Sequence, residues 1–162
     1  MNAQPQKEHE WLQKLVGEWT SEAEMTAGKP GEDPERSTGT ESVRSLGGYW
    51  IVAEGAGSQP CGGGEATTVL TLGYDTHRNR YVGTWVGSMM PLLWVYDGEL
   101  DATGNKLTLS ADGPDFVVEG KTAKYQDVIE FHSHDHRTLT SYVQAEDGSW
   151  TPFMTAHYRR KK

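Results

Sequence analysis

The sequence predicts an all-β fold, an antiparallel, up-and-down β-barrel of about ten strands with a short N-terminal helix. Strand-like segments recur about every 8–12 residues after residue 16, hairpin turns join them, and that part of the chain has almost no helical periodicity. The pattern fits a closed barrel or a sandwich. Consecutive antiparallel strands favour the barrel, because closure leaves no exposed sheet edge. We expect a single domain over residues 1–162, with the helix at 7–16 and the barrel at 17–160.

The first two elements follow from the spacing of their apolar residues. Trp11, Leu12 and Leu15 fall on one side of a short amphipathic helix, which Gly17 would end. The next segment, GEWTSEAEM, alternates strictly, and Trp19 lies on its less polar face. This alternation predicts a half-buried first strand.

The remaining strands are bounded by residues that favour turns. Loops are expected at 27–35 and over SQPCGGGE, and strands at 36–46, 49–57, 66–74, 80–88, 92–100, 106–112, 121–132, 137–146 and 149–160. Trp85 would share a face with Tyr81, and Trp94 one with Tyr96. The break between these two strands, residues 87–91, would form the rim of a pocket.

Composition and charge argue against several classes of protein. The net charge is −8 and the 15 Lys and Arg residues are scattered, which argues against a nucleic-acid partner. Cys61 is the only cysteine, so no intrachain disulfide can form. Residues 1–10 are polar, and no apolar window approaches the ~18 residues of a membrane span. We therefore expect no signal peptide, no membrane partner and a cytoplasmic location.

Two sets of residues resemble known families. Gly17-Glu18-Trp19, placed after a helix and before the first strand, resembles the G-x-W signature of lipocalins and related calycin barrels. The resemblance implies that Trp19 plugs the closed end of the barrel and that Arg159 or Arg160 packs across it. The segments HEWLQKLVGEWT, TLGYD, RYVGTWVGSMM, LWVYDGELD and FMTAHYRRK resemble a bacterial family known as domain of unknown function 1579. That resemblance implies a lipocalin-like barrel and no established activity.

A small barrel can hold one small ligand in its interior. Flat aromatic side chains and adaptable methionines would line such a cavity. The expected lining residues are Trp85, Met89, Met90, Trp94, Tyr96, Tyr125, Tyr142 and Met154. The alternative is that these side chains simply fill the barrel and leave no cavity.

Several charged residues lie within apolar strands and are candidate polar anchors. Asp127 shares a face with Tyr125 and Ile129, while Arg44 and Glu54 lie in the second and third strands. An ionised side chain that faces a barrel interior must be paired or change its pKa, because burial disfavours the charged form. The alternative is that these residues face water or form structural ion pairs, since a register shift of one residue exchanges the two faces.

Two histidine patterns raise the question of a metal or haem. His132, His134 and His136 have the spacing of imidazoles on one strand face, but the run lies where a hairpin turn is needed. His157, on the last strand, resembles in position the proximal haem ligand of nitrobindins. Both patterns are more typical of structural or solvated histidines, so the sequence predicts neither a metal nor a cofactor.

The first hypothesis for function is a non-enzymatic barrel that binds a small, largely apolar ligand with a polar or anionic group. Its polar end would be held by Arg44, Glu54, Asp127 and His157. A second hypothesis is an enzyme that uses interior carboxylates and histidines for proton transfer on an enclosed substrate. A haem or metal protein is a third. A homodimer without a ligand is a fourth, with exposed aromatics such as Tyr49, Trp50 and Trp150 at its interface.

Overall fold

Ten antiparallel strands form a closed barrel in the computed structural model, which describes residues 3–26, 33–59 and 64–162. Each strand pairs with its neighbours along the chain, and the last strand pairs with the first. Cys61 and parts of the loops predicted at 27–35 and over SQPCGGGE lie outside the described residues. Among the described residues, no helix has the length and apolar composition needed to span a membrane. The predicted fold class is confirmed.

The elements lie close to their predicted positions. The helix is α1 Lys7–Gln13, and the strands are β1 Gly17–Met25, β2 Glu35–Leu46, β3 Trp50–Ser58, β4 Glu65–Asp75, β5 Arg80–Gly87, β6 Met90–Leu100, β7 Lys106–Pro114, β8 Thr122–Ser133, β9 His136–Gln144 and β10 Trp150–Arg160. The helix ends three residues before the predicted boundary, because Lys14, Leu15 and Val16 form a tighter turn whose N–H groups bond to carbonyls three residues back. β6 begins earlier than expected, since Met90 pairs with Gly87 beyond a register shift.

Trp19 plugs one end of the barrel. Its side chain is fully buried, and its indole N–H donates a hydrogen bond of 2.9 Å to the carbonyl oxygen of Leu15. The guanidinium of Arg160 lies 4.1 Å from the centre of the indole ring and donates to the carbonyl oxygen of Val16 at 2.8 Å. Arg160, not Arg159, is therefore the basic residue that packs across this end.

The helix α1 packs over the same end of the barrel. Trp11 and Leu12 are buried, and the Trp11 ring meets Phe131 edge-on, with ring centres 5.6 Å apart. His9 is also buried and lies with Nε2 3.0 Å from the carbonyl oxygen of Tyr74. These contacts close the barrel at the ends of β4 and β8.

The apolar core fills the half of the barrel next to α1. Most of the largest fully buried side chains lie near this end; they are Leu12 of α1 and, on the strands, Trp19, Ile51, Leu72, Leu107 and Ile129. Because the packing is concentrated here, the opposite half of the barrel can remain open without loss of the core.

Candidate ligand-binding cavity

A cavity of about 420 Å³ occupies the half of the barrel away from α1. Its lining reaches the strand ends at Met25, Ser58 and Met89, on the side opposite Trp19. The break predicted as a pocket rim lies here, since Met89 and Met90 both line the cavity. Ligand pockets commonly measure about 300–1,000 Å³. The barrel interior is therefore not filled by its own side chains.

One wall of the cavity is built from residues with small side chains. They come from β1, β2 and β3 and include Ser21, Ala23, Ser37, Gly39, Gly55 and Gly57. A Cβ atom on Gly39 would lie 2.6 Å from the carbonyl oxygen of Ala56, and one on Gly57 would lie 2.6 Å from that of Thr38. A larger residue at either position would clash with the neighbouring strand, and the two glycines add no side-chain volume to this wall.

The opposite wall is aromatic. Trp85, Trp94, Tyr96 and Tyr125 line it from β5, β6 and β8, and Trp94 meets Tyr125 edge-on with ring centres 5.1 Å apart. The Trp94 ring lies where a side chain at Gly113 would be, since a Cβ there would come within 2.3 Å of it. Trp85 and Trp94 are buried only in part, whereas Tyr96 and Tyr125 are buried, and all four line the cavity.

Asp127 is the polar centre of the cavity. The hydroxyl groups of Tyr96 and Ser141 each donate a hydrogen bond to one of its carboxyl oxygens. Burial raises the pKa of Asp127, and the two hydroxyl donors offset only part of this effect. Burial and the adjacent carboxylate also raise the pKa of Tyr96. Among the described residues, no Lys, Arg or His side chain forms an ion pair with Asp127.

A buried ion pair lies deeper in the barrel, next to the Trp19 plug. The Arg137 side chain is 4% exposed and donates through Nη2 to Glu41, whose side chain is 12% exposed. The guanidinium is sandwiched between two rings, 4.0 Å from the centre of Tyr158 and 4.6 Å from that of Trp19. Within the described part of the chain its Nε–H is buried without a hydrogen-bond partner. Burial, together with Glu41, raises the pKa of Tyr158.

The family model described as "Protein of unknown function (DUF1579)" matches residues 4–160 of the chain. The chain belongs to this family. Among solved structures, Rv2717c from M. tuberculosis is similar over 98% of this chain and 100% of that one, with 12% identity and a TM-score of 0.65. The S-type phycobiliprotein lyase CPES from Guillardia theta is similar over 98% and 99%, with 17% identity and a TM-score of 0.57. At these identities the likeness shows the fold alone. No curated protein matches the chain.

Eight residues that the sequence predicted for a cavity line that of this DUF1579 barrel. They are Trp85, Met89, Met90, Trp94, Tyr96, Tyr125, Asp127 and Met154. Their alternation placed them together, because Trp85 pairs with Trp94 and both strands then keep one face inward. Their part in binding a ligand stays a prediction.

Arg44 and Glu54 were expected to face the interior, and this is wrong. Val43 and Ala53 pair with each other and are buried inside the barrel, so the next residue on each strand points outward. Both charged side chains are exposed to solvent. They cannot anchor a ligand held within the barrel.

Tyr142 and His157 also lie on the outer face, against expectation. Ser141 and Ala156 are buried and line the cavity, which turns the next residue of each strand outward. His157 is exposed and lies with Nδ1 3.0 Å from Nε2 of His136. A haem held inside the barrel therefore cannot use His157 as its axial ligand.

The histidines at 132, 134 and 136 lie at a hairpin turn, which was the alternative to a metal site. His134 and Asp135 form the β8–β9 turn, so His132, His134 and His136 do not share one strand face. The His132 ring instead lies 4.9 Å from that of His136, on the outside of the barrel. Within the described ranges, no group of three or more His, Cys, Asp or Glu side chains is arranged to hold a metal ion.

Asp97, a further carboxylate within an apolar strand, forms a structural ion pair with Arg80. It lies on the outer face and accepts two hydrogen bonds from Arg80, at 2.9 and 3.2 Å. The Arg80 guanidinium lowers the pKa of this carboxyl group.

Sequence analysis missed the Arg137–Glu41 pair. Glu41 alternates with Gly39 and Val43 along β2, a signal that could have placed it on the inner face. The orientation of Arg137 was not predicted, because the turn expected at 133–136 ends directly before this residue. Its inward orientation follows from its pairing with Phe131 across β8 and β9.

Proposed function

We propose that this protein is a non-enzymatic binding protein that holds a small, largely apolar molecule inside its barrel. The observation that carries the proposal is the cavity of about 420 Å³ with largely apolar walls and one carboxyl group outside any ion pair among the described lining residues, Asp127, held in place by two hydroxyls. Sites for small molecules are commonly concave and mostly apolar, with a few polar groups that orient the ligand.

The two walls suit a flat ligand. The small residues of β1, β2 and β3 leave space, and Trp85, Trp94 and Tyr125 offer aromatic surface across from them. A molecule between the walls would bury apolar area on both faces, which is the main source of affinity for such a ligand. The likeness to other barrels concerns the fold, so the proposal rests on the cavity itself.

The enzyme hypothesis would need a histidine and a carboxylate that converge on the cavity. Among the described residues that line it, none is a histidine. Asp127 already accepts hydrogen bonds from Tyr96 and Ser141, an arrangement that positions the group. These features favour binding over proton transfer.

The experiment is a fluorescence titration with N-phenylnaphthylamine, an uncharged dye whose emission rises in apolar surroundings. We expect saturable binding to the wild-type protein. Ala23→Trp would fill the small wall of the cavity and weaken binding by about ten-fold or more, equivalent to about 1.4 kcal/mol or more. Glu22→Trp is the matched control, because Glu22 is the neighbouring residue of β1 and faces solvent.

Circular dichroism spectra would first establish that both variants are folded. Absence of saturable binding to the wild type would refute the proposal. Equal binding by Ala23→Trp and Glu22→Trp would also refute it, since the dye would then be bound elsewhere.

A further inference from the structure

We propose that the cavity selects organic cations, and that its ligand carries an ammonium group that pairs with Asp127 while its apolar body lies against the aromatic wall. This inference rests on the proposed binding function and names the chemical class of the ligand.

The charges that line the cavity favour a cation over an anion. Among the described residues, the carboxyl and basic side chains of the lining are Glu41, Asp127 and Arg137, which are two carboxyl groups and one guanidinium. Arg137 is committed to Glu41 in the buried ion pair. A ligand carboxylate would therefore find no unpaired positive charge among the described lining residues, where the Nε–H of Arg137 is an unused donor on an already paired cation. A ligand ammonium would find Asp127.

The hydrogen bonds of Asp127 leave room for a further donor. A carboxylate has about four lone-pair sites, and the two hydroxyl donors, Tyr96 and Ser141, use one on each oxygen. The remaining accessible surface of Asp127 faces the cavity. An ammonium group brings three donors and a positive charge, so it can fill the unused sites.

Burial increases the energetic importance of a positive partner for Asp127. Burial raises the pKa of Asp127, and among the described residues no cation forms an ion pair with it. A bound ammonium would supply that cation in surroundings where charge-assisted hydrogen bonds are strong. The ionised carboxylate and the ammonium would then stabilise each other in a cavity that otherwise disfavours either charge.

The aromatic wall adds a second preference for a cation. Tyr96, which donates to Asp127, lines the cavity together with Trp94 and Tyr125. The faces of such rings attract cations, and the attraction is larger where water is excluded. A cavity lined by one unpaired carboxylate and several aromatic rings is therefore suited to an ammonium group on an apolar body.

The test is competition against bound N-phenylnaphthylamine by phenylbutylamine, phenylbutanol and phenylbutanoate. These compounds share the same apolar body and differ in charge. We expect the amine to displace the dye at a concentration about ten-fold or more below that of the alcohol, since one charge-assisted hydrogen bond contributes on this order. The carboxylate should be the weakest competitor.

Asp127→Asn should abolish the difference between the amine and the alcohol. Asp112→Asn is the matched control, because Asp112 is an exposed carboxylate on the outer face of β7 that pairs with Lys124 at 3.2 Å. It should keep the wild-type order of competitors.

The outcomes separate the two proposals. If the dye does not bind, the proposed function fails. If the dye binds and the amine is no better than the alcohol, or the carboxylate competes best, the inference about cations is wrong while the binding function stands. The comparison in the wild type decides the point even if Asp127→Asn does not fold.

Discussion

Replacing Glu41 with Gln tests the energetics of the buried ion pair next to the plug. The change keeps the shape of the side chain and an oxygen that can accept from Arg137, but it removes the negative charge. The guanidinium of Arg137, whose side chain is 4% exposed, would then be buried without a counter-charge between Tyr158 and Trp19.

The expected loss of stability is large for a substitution that preserves the shape of the side chain. Removing one partner of a buried pair commonly costs about 3–5 kcal/mol, and the retained hydrogen bond returns about 1 kcal/mol. We therefore expect Glu41→Gln to lower the free energy of unfolding by about 2–4 kcal/mol. For a domain of this size that corresponds to a fall in Tm of about 5–15 °C.

Urea unfolding followed by far-UV circular dichroism measures this loss without relying on the fluorescence of Trp19. Glu24→Gln is the matched control, since Glu24 pairs with Arg36 on β1 and β2 with side chains 56% and 75% exposed. We expect that control to stay within about 0.5 kcal/mol of the wild type. A loss for Glu41→Gln no larger than for Glu24→Gln would show that the Arg137 charge is not buried as the structure describes.

Three further predictions concern protonation and the plug. Burial raises the pKa of Asp127, so the folded state holds its proton more tightly than the unfolded state, and the contribution of this group to stability falls as pH rises above about 3.9. In urea unfolding, the free energy of unfolding of Asp127→Asn relative to that of the wild type should therefore increase between about pH 4 and about pH 7. A difference between the two proteins that stays constant with pH would contradict the raised pKa. Burial and the nearby Arg159 lower the pKa of His136. The unfolded state therefore takes up this proton first, and stability is lost as the pH falls through about 6.5. An NMR titration that gives His136 a pKa of about 6.5 or higher would refute the prediction. Trp19→Phe loses a buried hydrogen bond and ring contacts and should cost about 2–3 kcal/mol in urea unfolding. The exposed Trp150→Phe should cost less than about 0.5 kcal/mol, and equal costs would argue against the plug.

The strands themselves could be predicted because each carries a local signal. The alternation of GEWTSEAEM appears in β1 as inward Trp19 and outward Glu18, and Trp85 shares its inner face with Tyr81 as expected. Turn residues bounded these segments to within a few positions, since hairpin geometry restricts which residues can follow a strand.

The orientation of isolated polar residues could not be predicted in the same way. Alternation shows that two residues share a face, but it does not show which face is the inner one. Asp127 was placed correctly because Ile129 and Tyr125 mark its face as apolar. For Arg44 and His157, the neighbouring residues did not distinguish the predicted strand register from one shifted by a single residue.

What the sequence by itself determined is the class of fold, the course of the strands and the aromatic part of the cavity wall, while the Trp19 plug was implied by the resemblance of Gly17-Glu18-Trp19 to the lipocalin signature. Each depends on residues that are near one another in the chain. The tertiary structure alone decided that space remains inside the barrel, that Asp127 meets Tyr96 and Ser141, and that Arg137 meets Glu41. These features depend on the pairing of distant strands and on the difference in volume between opposite walls, and no local pattern in a single chain records either.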